Sequence, residues 1–145
     1  MDDFLLEFWT GAPDVFWAFV FFVFGSVVGS FLNVCIHRMP LEQSLIRPSS
    51  QCPKCEFSIP WHLNMPIISW LMLRGKCRQC SEPISPRYIG VEILTGLAFL
   101  ACWSVFGSQN TSGVLLATTW SIVLAGLIAA TFIDFEHFII PDEIT

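Results

Sequence analysis

Two matched pairs of cysteines, Cys52-Pro-Lys-Cys55 and Cys77-Arg-Gln-Cys80, flank residues 56–76. Two Cys-x-x-Cys knuckles at this separation suit one tetrahedral zinc ion. Disulfide or redox chemistry and free thiols are the alternatives, and a reducing cytosol disfavours the first of these. A site of four thiolates has no open position, so the expected metal is structural. Cys35 and Cys102 stand in apolar runs and read as small packing residues. The second set of candidates is acidic. Asp134 ends an apolar stretch, where low dielectric raises a carboxyl pKa and lets it hold a proton for acid–base work. The competing reading is an ordinary helix-end carboxylate meeting water. Asp142 follows Pro141, which ends any helix continuing from Asp134. Asp134 and His137, three apart, could also ligate a metal. Glu92 lies at the start of another apolar run, where it either pairs with Arg87 or a polar group of the first helix, or serves as a first-turn acid favoured by the helix dipole.

The elements that must position these residues are membrane spans. Of 145 residues, 54% are hydrophobic and 13% charged, against about 25% charged in soluble domains. Such a chain has room for about three spans of ~20 residues and one extramembrane module. The expected organisation is a tail at 1–14, a first span at 15–37, a loop domain at 38–88, a second span at 89–106, a turn at 107–113, a third span at 114–133, and a last segment at 134–145. Within the first span, Gly25-Ser-Val-Val-Gly29-Ser30 reads as a helix-packing face, and Asn33 and His37 lie near its end. The segment from Asn64 to Leu73 is apolar but too short to span, so it packs on the zinc site or lies on the membrane surface. Trp61 and Trp70 would suit an interfacial position.

Charge sets the orientation. All Lys and Arg lie between Arg38 and Arg87, while the tail carries Asp2, Asp3, Glu7 and Asp14. Basic loops stay in the cytoplasm, so the cysteine loop is expected there and the N-terminus outside. A cleavable signal is excluded, because the flank is acidic and the apolar run too long. There is no Gly-rich phosphate loop, nucleophile elbow or His-Glu-x-x-His helix. The basic loop lacks a nucleic-acid motif, and topology and anionic lipid explain its charge.

Four segments resemble one family. Gly29-Ser-Phe-Leu-Asn-Val-Cys-Ile-His-Arg-Met-Pro40 is similar to the opening signature of bacterial type IV prepilin leader peptidases, whose loop carries a comparable pair of knuckles. Trp61 to Leu71 and Ser85 to Glu92 resemble the family's loop and the start of its second helix. Ile133-Asp134, followed by Ile140-Pro141-Asp142, looks like the segment bearing the first catalytic aspartate. The resemblance implies an all-α, polytopic inner-membrane aspartyl protease with a cytoplasmic four-cysteine zinc loop between its first and second spans. Such enzymes cleave leaders from type IV prepilins and pseudopilins, and most bacterial members N-methylate the new terminus from S-adenosylmethionine. They serve pilus assembly and type II secretion. Asp134 would be one member of the catalytic dyad, with Asp142 and Glu92 as weaker supporting candidates. The family's second aspartate lies in a Gly-x-Gly-Asp motif, which this sequence lacks, so the chain is expected to be the N-terminal part of a longer enzyme and inactive as a protease by itself. Neither the methyl-donor ligands nor the oligomeric state is indicated. Two rivals remain at this point: a non-catalytic membrane scaffold whose zinc loop binds a cytoplasmic partner, and a membrane thiol-redox protein without stoichiometric metal.

Overall fold

The computed structural model describes residues 13–46, 51–52, 54–60, 65–107 and 111–137. Among them lie four helices: α1 (Asp14–Arg38), α2 (Ile68–Met72), α3 (Pro86–Phe106) and α4 (Thr111–His137). Three of these, α1, α3 and α4, are long and apolar enough to cross a membrane. The described residues form no strand, only two isolated antiparallel bridges in the loop. The architecture is therefore an all-helical polytopic membrane protein, with the four cysteines between the first and second long helices.

Local chemistry accounts for the helix ends. In α1 the acid Asp14 sits in the first turn and His37 and Arg38 in the last, matching the helix dipole. Pro40 follows the C-cap residue Met39, and the Arg38 guanidinium donates to the Ser44 carbonyl at 3.0 Å. At the start of α3, the Ser85 hydroxyl accepts the Arg87 amide at 3.3 Å, and Pro86 takes the first helical position, where its missing N–H is no loss.

The glycine face of α1 is occupied from within the chain. A Cβ on Gly25 would lie 2.7 Å from Phe99, and one on Gly29 would lie 2.8 Å from the Glu92 Cα. Only glycine permits this approach, so α1 and α3 form the tightest pair of the bundle. Apolar clusters close the bundle at both ends. Trp17, Trp103 and Ala117 pack together at one end. At the other, Ile128, Phe132 and Ile133 of α4 pack on the cluster holding Leu32, Ile36 and Val91. Alternating helix directions thus bring the end of α4 back to the loop end of α1. Buried hydroxyls return to their own helices: Thr95 donates to the Val91 carbonyl and Ser121 to that of Ala117, at 2.8 and 2.7 Å. Those bonds leave no hydroxyl hydrogen unsatisfied in an apolar setting.

Candidate metal centre and adjoining cavity

The two knuckles share one backbone design. In each, the first cysteine's amide donates to the carbonyl five residues on: Cys52 to Phe57 at 3.0 Å, and Cys77 to Glu82 at 2.8 Å. Its carbonyl accepts from the residue four on, Glu56 at 2.9 Å or Ser81 at 3.0 Å. Those two residues turn the chain with φ of 56° and 59°. Both second cysteines are thereby folded back beside the first. An ion pair between Lys54 and Glu82 links one knuckle to the other.

The result is a cluster of four sulfurs, all within 4.8 Å of one another. Cys52 Sγ lies 3.7 Å from Cys80 Sγ, and Cys55 Sγ lies 3.8 Å from Cys77 Sγ. With Zn–S bonds of ≈ 2.3 Å, a tetrahedron has sulfur–sulfur edges of about 3.8 Å. The separations are far too long for disulfides, and all six cysteines are free thiols. The Cys80 and Gln79 amides hold the Cys77 thiol down at about 6. Cys55 is pushed up to about 12: the Phe57 amide favours its thiolate, but desolvation and the other three thiols outweigh it. A cation at the centre removes that conflict, because a coordinating thiol is deprotonated outright. The donor set and its spacing fit one structural zinc ion.

Between the knuckles, α2 is followed by two residues of positive φ, Arg74 (52°) and Gly75 (66°), which carry the chain into the second knuckle. A side chain at Gly75 would strike Trp70, 2.8 Å from a built Cβ. The segment divides its faces: Ser69 is buried and Trp70 faces inward, while Ile68, Leu71 and Met72 are exposed. It therefore packs on the loop interior and still presents an apolar edge, and Trp70 buries the indole nitrogen that an interfacial position would hydrate. Its start is strained. Ile67 has φ 60° and ψ −54°, within a three-residue turn closed by the Ile68 amide and the Pro66 carbonyl. Such turns are rare for any residue, and a β-branched one is an outlier.

Glu92 holds that turn. Its carboxylate accepts the Ile67 amide at 2.7 Å and bonds the Ser30 hydroxyl of α1. This favours the pairing with a polar group of the first helix. The first-turn reading fails, because α3 begins at Pro86 and has no acid in its first turn. Asp134 is exposed near the end of α4, at the same end of the bundle as the loop. Asp142, Trp61 and the acidic tail before Pro13 lie outside the described residues, as does the His137 side chain. The structure thus gathers the cysteines and Glu92 around one region and leaves Asp134 on the bundle surface.

That region encloses a cavity of about 440 Å³ between the end of α1, both knuckles, α2 and the start of α3. Asn33, Trp70 and Tyr88 line it. The sequence marked Asn33 and Trp70 without assigning them to a common site. An amide in a run as apolar as α1 was the available signal, since polar groups at membrane depth are costly.

The profile described as Bacterial Peptidase A24 N-terminal domain matches residues 23–106. A prepilin leader peptidase/N-methyltransferase of Myxococcus xanthus is 47% identical, over 86% of this chain and 36% of its own length. Its counterpart in Aeromonas hydrophila is 36% identical, over 97% of this chain and 55% of its own. A type 4 prepilin-like proteins leader peptide-processing enzyme of Escherichia coli is 42% identical, over 83% and 50%. The chain therefore spans about a third to a half of the length of these relatives. No solved structure matches it. With more than half the chain matched, from the glycine face of α1 through both knuckles to the end of α3, this protein belongs to the bacterial peptidase A24 N-terminal domain family.

Proposed function

We propose that the enzyme carrying this chain is a membrane aspartyl endopeptidase. It removes leader peptides from type IV prepilins and pseudopilins at the cytoplasmic face of the inner membrane, then N-methylates the new terminal residue. The observation that carries this reading is the likeness to relatives named for both activities, over 86% and 97% of the chain. The confinement of all Lys and Arg to residues 38–87 supports a cytoplasmic loop. Asp134 lies at the loop end of the bundle, so it would meet a substrate on that same side.

Peptide hydrolysis needs two carboxyls sharing one proton: one activates water while the other protonates the leaving nitrogen. Asp134 is assigned one of these roles. Asp142, eight positions on, is the weaker candidate in the same segment. The zinc ion would be held by Cys52, Cys55, Cys77 and Cys80, and would order a loop that has little apolar core of its own. Asp134→Asn in the enzyme carrying this chain should abolish leader cleavage while leaving zinc content unchanged. The check is electrophoretic processing of a pilin precursor in membranes. Processing at the parental rate would overturn the assignment.

A further inference from the structure

Glu92 records how deep the loop reaches into the bundle. Helix α3 has 21 residues, a length of ~31 Å at ~1.5 Å per residue, close to the ~30 Å hydrocarbon core of a bilayer. Glu92 stands six positions past Pro86, which is ~9 Å inside the start of that span. On α1 the same level is marked by Gly29, where a Cβ would fall 2.8 Å from the Glu92 Cα. Gly29 is nine residues short of Arg38, or ~14 Å from the helix end. Both spans therefore set Glu92 below their loop-side ends. Helical side chains lean toward the N-terminal end of their helix, which carries the carboxylate part of the way back toward the loop. There it accepts the Ile67 amide at 2.7 Å. Ile67 and the start of α2 thus stand at the boundary between headgroups and acyl chains.

That depth accounts for the carboxylate. Irregular backbone at membrane level persists only where the protein itself satisfies its polar groups. The Ile67 amide sits in such a turn, and Glu92 supplies its acceptor. Depth also accounts for the two faces of α2. Ser69, Trp70 and Leu73 line the cavity. Ile68, Leu71 and Met72 share the opposite face by their spacing, and they are 49, 58 and 74% exposed. A contiguous apolar edge left open at this level fits acyl chains better than water. Arg74 and Lys76, which follow it, are exposed cations suited to anionic headgroups.

We propose that α2 is an interfacial membrane helix: its Ile68–Leu71–Met72 edge is immersed in the lipid leaflet on the loop side, while its other face closes the cavity. Lipid then provides the apolar cover that the loop itself lacks. The inference rests on α1 and α3 being spans, and it is independent of leader cleavage and of methyl transfer.

The test is photolabelling in vesicles of phosphatidylcholine and phosphatidylglycerol that contain a trace of phosphatidylcholine with a diazirine on its acyl chain. The zinc-replete enzyme carrying this chain is returned to these vesicles, irradiated, and mapped by peptide mass spectrometry. The expected result is label on Ile68, Leu71 or Met72 as well as on the long helices. Labelled long helices with an unlabelled edge on α2 overturn the proposal, whether water or protein covers that edge. Leu71→Glu combined with Met72→Glu, both at exposed positions, should cut the label across 68–72 about tenfold, because charge at membrane level is costly. Zinc content and label on the long helices should match the parent. Parental label across 68–72 in that variant overturns the role of the apolar edge. Should the variant lose its zinc, peroxide oxidation of the parent in vesicles decides. Met72 oxidised as fast as N-acetylmethionine amide overturns the proposal, and slower oxidation together with lipid label supports it.

Discussion

The bundle and the loop are stabilised by opposite means. In the bundle, removal of side chains makes the contact: at Gly25 and Gly29 the backbone of α1 lies against α3 with no room for a methyl group. Among the described residues of the loop few apolar groups are buried, and order comes from sulfur, amide and carboxylate placed at fixed points. The bundle gains its stability from surface matched along its length, so damage there should be graded. The loop depends on a few atoms, so damage there should be abrupt. The two regions meet at Glu92, whose Cα touches the glycine face while its carboxylate holds the Ile67 turn.

The sharpest way to break the comparison is Cys77→Ser. Structural zinc contributes about 10–16 kcal/mol in small zinc modules, so this change should release the metal and unfold the loop while the bundle persists. Metal analysis should show less than one zinc per chain, and proteolysis should cut between residues 51 and 85 with the long helices intact. Loss of the bundle as well would make the two regions one cooperative unit. Next in size is Gly29→Leu, which forces α1 off α3. Overpacking of this kind costs typically 1–3 kcal/mol and should lower thermal stability in detergent with zinc retained. The smallest effect belongs to the junction. Glu92→Ala removes the acceptor for the Ile67 amide and should cost about 1 kcal/mol, read as faster amide exchange at Ile67. Glu92→Gln keeps an acceptor and should stay close to parent.

What the sequence made legible follows the same division. The three long helices were readable because an apolar run of spanning length has few alternatives, and the glycine face followed from small residues four apart. The four-sulfur cluster was readable because ligand spacing carries the geometry of a metal. The Ile67 turn was not, since no local pattern predicts positive φ at an isoleucine. It exists because a carboxylate 25 positions away accepts its amide. Asn33 and Trp70 were visible singly, but only the folding of α2 onto the end of α1 places them on one cavity. Glu92 was left open for a related reason: its helix starts at Pro86, which moves it out of the first turn.

The two knuckles, once they share an ion, make the chain from Cys52 to Cys77 a hoop. Closing a flexible hoop of that length costs about 3 kcal/mol of chain entropy, well within what the metal supplies. α2 and Trp70 ride on the hoop, tethered at both ends and pinned at Ile67 by Glu92. A segment fastened at three points cannot swing as a flap on the nanosecond scale of ordinary loops. Traffic through this region must instead wait for a slower, concerted opening of the hoop or use the gap that the hoop already frames.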